Sequence, residues 1–143
     1  MYLWDSNILR AFGEGNAIVK QHTDRVGWDK IALPSVVVSE VLRGRIDYAL
    51  KADTGSELAK ANRFFMQTYK MLENFNVLVF DEASGKEFDT LRRRYKKHKR
   101  RADMLIASMA LSGRHIVVTR NVKHFRELLP LSQIENWINI PPR

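Results

Sequence analysis

Tyr2-Leu3-Trp4-Asp5-Ser6-Asn7-Ile8-Leu9 decides how the rest of the chain is read. Tyr2, Leu3 and Trp4 form a short apolar strand. The carboxylate that ends it falls on the rim of a sheet, where cations and phosphates are handled. Acids recur against apolar sequence in Ser39-Glu40-Val41-Leu42-Arg43-Gly44 and in Ala102-Asp103-Met104-Leu105-Ile106-Ala107. The chain around them has the opposite sign, with a formal net charge of +8. Acids set in a basic shell point to metal-dependent chemistry on a polyanion.

Outward from that strand, helical and extended patterns alternate. Residues 6–12 read as a helix closed by Gly13 and Gly15. Residues 17–26 read as a second helix, with Ile18, Val19, His22 and Val26 on one face. Ile31-Ala32-Leu33 is a short strand, after which Pro34 suits the first turn of a helix that Gly44 stops. Residues 58–72 carry one stripe of Leu58, Ala61, Phe65, Thr68 and Leu72. Residues 76–80 read as a wholly apolar strand, the kind a buried parallel sheet requires. Asp81 caps a helix over 82–97 whose inner stripe is Phe88, Leu91 and Tyr95. Residues 103–111 form a helix buried on most sides, 115–118 a strand leading to Thr119-Arg120-Asn121, and 134–137 a last edge strand.

This alternation predicts an α/β fold, one domain over residues 1–143, with a mainly parallel central sheet and helices on both faces. Ligands of such sheets sit beyond the carboxyl ends of the strands. Asp5 and the pair Thr119 and Asn121 are therefore expected at one edge, which Glu40 and Asp103 reach from helices.

At 143 residues the chain can bury one sizeable core. It has no cysteine, which excludes disulfides, thiolate zinc sites and cysteine nucleophiles and suits a cytoplasmic protein. Asp5, Asn7 and Arg10 interrupt any apolar leader, and no window is apolar over the length a bilayer demands, so no membrane partner is expected.

The charge is localised. Arg92, Arg93, Arg94, Lys96, Lys97, Lys99, Arg100 and Arg101 fall in ten residues with no acid among them, and the basic residues elsewhere only match the 16 acids. Like charges three and four apart weaken a helix, so an uncompensated block is better explained by a partner, phosphate backbone first. These eight side chains are the expected nucleic-acid contacts.

Each acid also has a plainer reading. Asp5, Ser6 and Asn7 are all good helix caps, and Asp103 in a first helical turn complements the helix dipole. Glu40, beside Val37, Val41 and Gly44, falls on or next to an inward stripe, where an unpaired carboxylate is costly unless it binds a cation. Asp103 is the only acid of a segment otherwise fit for the core. Asp81 reads as a cap, and Asp47 and Asp89 as solvent-facing. The four histidines, His22, His98, His115 and His124, lack metal-ligand spacing and read as structural or exposed. An acid-rich, cysteine-free set of donors favours Mg²⁺ or Mn²⁺ over zinc.

These motifs, in this order, resemble the PIN-domain ribonucleases, specifically the toxin subunits of VapBC-type toxin–antitoxin modules. The likeness runs from the Tyr2–Leu9 opening through Ser39–Gly44, Phe80-Asp81-Glu82-Ala83 and Ala102–Ala107. It closes at Val118-Thr119-Arg120-Asn121-Val122-Lys123-His124-Phe125. Ser6 stands where Thr is commoner. Asn121 stands where many members carry a fourth acid; it can position a water or a metal ligand but adds no charge toward a second metal site, and the number of metals, one or two, stays open. The resemblance implies a metal-dependent endoribonuclease, a cognate antitoxin protein and a homodimer. It makes Asp5, Glu40 and Asp103 the metal ligands, Glu40 serving alternatively to orient water, with Asn121 in the catalytic set and Ser6, Asn7 and Thr119 in support. The residues leave two other readings open: a non-catalytic RNA- or protein-binding module of the same fold, and a phosphatase using Asp5, disfavoured by Asn7. They also leave DNA open as the substrate.

Overall fold

The strand Tyr2–Trp4 (β1) is the middle of a five-stranded sheet in the computed structural model, which describes residues 1–143. The others are Ile31–Pro34 (β2), Asn76–Leu78 (β3), Ile116–Val118 (β4) and Ile134–Glu135 (β5), in the order β3-β2-β1-β4-β5, with every pair parallel. Seven α-helices make the crossovers: Ser6–Gly13 (α1), Ala17–Val26 (α2), Ser35–Leu50 (α3), Gly55–Leu72 (α4), Glu82–Arg94 (α5), Arg101–Gly113 (α6) and Val122–Phe125 (α7). No helix is long and apolar enough to cross a membrane.

Period-two alternation along the strands feeds two cores. Leu3, Ala32 and Val117 join Leu91, Met104, Ala107 and Phe125 on the α5–α6 face. Trp4, Ile31, Leu33 and Val118 join Ile8, Leu9, Val19, Leu72 and Trp137 on the other. Both faces are covered, as an all-parallel sheet demands. The second core is aromatic, with Trp4 against Phe12, Trp28, Phe75 and Trp137 at centroid separations of 5.5 to 6.2 Å.

Three expectations are corrected. The helix expected to stop at Gly44 continues to Leu50. Nothing crowds Gly44, and packing against α4 holds the extra turns, which outweighs a cost of roughly 1 kcal/mol for an interior glycine. The apolar strand at 76–80 is shorter, and it is an edge rather than a buried strand: β3 pairs only with β2, and Val77 and Val79 are 45% and 68% exposed. It ends as Phe80 N–H turns to donate to Ser35 Oγ at 3.2 Å. The helix after Asp81 stops at Arg94, not at residue 97. That leaves Arg92, Arg93 and Arg94 in a last turn, where cations suit the dipole, and releases residues 95–100 as a loop. The cap is where it was expected: Asp81 Oδ1 accepts from Ser84 N–H at 2.8 Å and from its hydroxyl at 2.9 Å.

Candidate active site

The neighbours of β1 are β2 on one side and β4 on the other, so the chain reverses direction across the sheet beside β1. Such a switch point opens a crevice at the carboxyl edge. Asp5 and Thr119, the residues after β1 and β4, stand there. Asp5 N–H donates to Val118 O at 3.0 Å, extending the ladder by one bond.

Asp5 is buried and fully held. Its Oδ1 accepts from Ser6 N–H at 2.8 Å, which caps α1. Its Oδ2 accepts from the Thr119 hydroxyl at 2.8 Å and from Asn7 Nδ2 at 3.2 Å. Thr119 is itself wholly buried, and its Oγ1 accepts from Asn121 N–H at 3.0 Å. Asn7 Oδ1 accepts from Arg120 N–H, also at 3.0 Å. Asp5-Ser6-Asn7 and Thr119-Arg120-Asn121 are thus cross-braced. Asp5 is at once a cap and a carboxylate at the crevice, so both of its sequence readings hold.

Asp103 enters from the first turn of α6 and is treated differently. Its side chain is 15% exposed, and its Oδ2 is buried without a hydrogen bond. The closest group is His124 Nδ1, 3.5 Å away without hydrogen-bonding geometry. Burial raises the Asp103 pKa above the usual carboxylate range and the charge of Asp5 raises it further. His124, Arg100 and His98 pull the other way without cancelling the effect.

Glu40 stands on α3 at the wall of a cleft of about 800 Å³, with Ser6, Arg10, Gly44, Arg45 and Thr68. It is more exposed than its apolar neighbours imply. Its pKa is nevertheless raised, first by desolvation and then by the charges of Asp5 and Asp103. The three acids therefore share one electrostatic neighbourhood. No three His, Asp or Glu side chains are arranged to hold a metal ion as they stand. What the edge offers a hard cation is oxygen donors, one of them an orphaned buried atom, and mutual repulsion that a cation offsets. Asn121 is exposed and enters the network through its backbone N–H, its side chain making no hydrogen bond with the protein.

The histidines, expected to be structural or exposed, have partners that the sequence spacing did not reveal. His124 lies against Asp103. The His98 side chain is only 7% exposed, with Nδ1 3.1 Å from Glu127 Oε2, so it pins the middle of the basic loop to the segment after α7. The one available signal was that His124 lies in the same segment as Asn121. None of the eight cations of the run makes an ion pair. Arg94 and Arg101 instead lie over Tyr95 and Phe88, at 5.5 and 5.7 Å. The loop runs directly into α6, whose third residue is Asp103.

A family profile described as PIN domain matches residues 2–128. No curated protein sequence matches the chain. Among solved structures, the chain is similar to a toxin–antitoxin complex from Klebsiella pneumoniae, with 23% identity and a TM-score of 0.69 over 98% of this chain and 100% of that one. It is similar to FitAcB from Neisseria gonorrhoeae at 21% identity and a TM-score of 0.75, again over 98% and 100%. VapBC2 from Rickettsia felis, bound to a DNA fragment from its promoter, shares 22% identity with a TM-score of 0.68 over 95% and 98%. At these identities the likeness is one of fold.

Proposed function

The chain belongs to the PIN-domain family, and from that premise we propose that it is a Mg²⁺- or Mn²⁺-dependent endoribonuclease, the toxin of a toxin–antitoxin pair. The observation that supports the reading is the gathering of Asp5, Glu40 and Asp103 at one edge: desolvation first and then the charge of Asp5 raise the pKa of both Glu40 and Asp103, and the charge of Asp103 also raises that of Glu40. Asp5 and Asp103 are the ligands assigned to the ion. Asp5 is aimed by Thr119 and Asn7, and Asp103 brings a buried oxygen that accepts no hydrogen bond and has only His124 Nδ1 nearby, at 3.5 Å. When bound, the ion supplies charge stabilisation at the phosphate and activates water.

The rest is done by the chain's own groups. Glu40, exposed in the cleft and raised toward protonation, completes the ligand set or orients the attacking water. Thr119 and Asn7 hold the Asp5 carboxylate in one orientation, which keeps the site rigid. The unpaired cations from Arg92 to Arg101 bind the RNA backbone and deliver it to Asp103. A cognate antitoxin and a homodimer belong to the same reading, supported by the toxin–antitoxin complexes among its structural neighbours.

One observation favours a second reading, a non-catalytic RNA- or protein-binding module: Asn121 stands where many members of the family carry an acid. The test is cleavage of a mixed tRNA and rRNA pool by purified protein with Mg²⁺ or Mn²⁺, against EDTA, with Asp5→Asn alongside. Metal-dependent fragments absent in the variant are expected. No cleavage by folded, antitoxin-free protein, together with no binding of Mn²⁺ by calorimetry, would put the second reading first.

A further inference from the structure

A second cavity, of about 350 Å³, opens beside Asp5, and the cleavage chemistry does not use it. Its walls are the end of α1, the turn at Gly15 and Asn16, and the turn after β4, and only Ala11 and Ile138 among its lining residues are apolar. Arg10 and Arg120 line it, and neither makes an ion pair; Glu14 is the single acid there. The amide oxygens are already occupied. Asn16 Oδ1 accepts from Ile18 and Val19 N–H, both at 3.0 Å, and Asn7 Oδ1 accepts from Arg120 N–H. Apart from Glu14, the side-chain groups left free there are donors, two of them cationic, and such a hollow takes an oxyanion.

Its position says which one. Arg120 is linked to the acidic corner through Asn7, whose Nδ2 donates to Asp5. Arg10 lines both this pocket and the cleft that holds Glu40. α1 packs on the aromatic face of the sheet, whereas α5 and α6, which carry the basic run, pack on the opposite face. The carboxylates lie between two positive regions that approach from opposite sides.

We propose that Arg10 and Arg120 form a phosphodiester-binding subsite for single-stranded RNA, on the far side of the carboxylates from the basic run. The strand then crosses the carboxyl edge of the sheet from one face to the other. The choice of RNA rests on the nuclease reading, but binding is measurable without cleavage.

The experiment measures affinity for a fluorescein-labelled single-stranded oligoribonucleotide by anisotropy, in EDTA, across a salt series. It compares wild type, Arg10→Ala, Arg120→Ala, the double variant and Lys30→Ala, each checked for fold by circular dichroism. Lys30 precedes β2 at the opposite, amino edge of the sheet and is the charge-matched control. Arg10→Gln and Arg120→Gln replace any alanine variant that fails to fold. Each arginine variant should raise Kd about three- to tenfold and reduce the salt slope by about 0.7, while Lys30→Ala changes neither. A parallel Mn²⁺-dependent cleavage assay of the same oligonucleotide should show KM rising with Kd.

A double variant with wild-type Kd and salt slope overturns the subsite, and if wild type cleaves, the nuclease reading survives. Arginine-dependent binding without any cleavage does the reverse. Loss of oligo-glutamate peptide binding in the double variant, with RNA affinity unchanged, overturns the RNA subsite and assigns the pocket to an acidic protein segment.

Discussion

Asp5 and Asp103 stand at the same sheet edge and are treated in opposite ways. Asp5 accepts three hydrogen bonds and ties two turns together. Asp103 comes to the same edge from α6, yet its buried Oδ2 has no hydrogen bond and its pKa is pushed up by burial and by the charge of Asp5. The first carboxylate is stabilised by the fold and stabilises it in return. The second has its charged form disfavoured by burial and by the charge of Asp5, the kind of perturbation that marks a candidate functional group. The contrast is between one carboxylate anchored by the fold and one left without a hydrogen bond.

The largest effect separates chemistry from stability. Asp5→Asn and Asp103→Asn should each lower metal-dependent cleavage at least about 10³-fold, since each removes an assigned ligand and its charge. Their stabilities should move in opposite directions. In Asp5→Asn an amide N–H₂ replaces one acceptor oxygen and meets either a backbone or an amide donor, which costs about 1 kcal/mol. In Asp103→Asn a buried, repelled charge disappears, and metal-free protein at neutral pH should melt a few degrees higher. Denaturant and thermal unfolding of both variants decide the matter. If Asp103→Asn melts lower than wild type, the contrast between the two corners is wrong.

Thr119→Val is a smaller perturbation of the anchored corner. Valine keeps the shape but leaves Asp5 Oδ2 one bond short and Asn121 N–H without its acceptor. Stability should fall by about 1–3 kcal/mol and activity by roughly 10- to 100-fold, as for other groups that orient metal ligands. Ser108→Ala is the comparison: its buried hydroxyl donates only to Met104 O within α6, so an equal loss of activity there would deny Thr119 its orienting role.

Which parts were legible in the sequence follows the same division. Asp5, Glu40 and Asp103 stand out because each interrupts apolar sequence, a local signal; burial follows for Asp5 and in part for Asp103, while Glu40 is exposed. The alternation of strands and helices was equally local, and with it the parallel sheet. What failed depended on partners distant in the chain. Gly44 reads as a stop until α4 packs against the helix it sits in. Whether β3 is central or an edge is a property of strand order, not of the residues Asn76, Val77 and Leu78. His98 and His124 gain their meaning from Glu127 and Asp103, which no spacing rule connects to them. Arg10 and Arg120 are unremarkable in sequence and become neighbours only through the turn joined by Asn7.

The finest test of the contrast is the pH dependence of stability in metal-free protein. Asp103 and Glu40 have folded pKa values above their ordinary ones. Their contribution to stability is therefore fully present below the ordinary carboxylate range and is lost as pH rises through the raised values. Acidification toward the ordinary carboxylate range should recover it. His115 opposes this in the same window: burial and the N-terminal charge lower its pKa, so its contribution is lost as pH falls through the ordinary histidine range. Asp81, lowered by its bonds to Ser84 N–H and hydroxyl, loses its contribution only in more acidic solution. Subtracting the Tm profile of Asp103→Asn from that of wild type removes the shared His115 and Asp81 effects. The difference should favour the variant at neutral pH and shrink by about a degree or two as pH falls toward the ordinary carboxylate range. Saturating Mg²⁺ should raise the wild-type Tm but not that of the variant. A difference independent of pH would mean that the Asp103 charge is no burden to the fold, and that the unbonded oxygen is stabilised by something other than a cation.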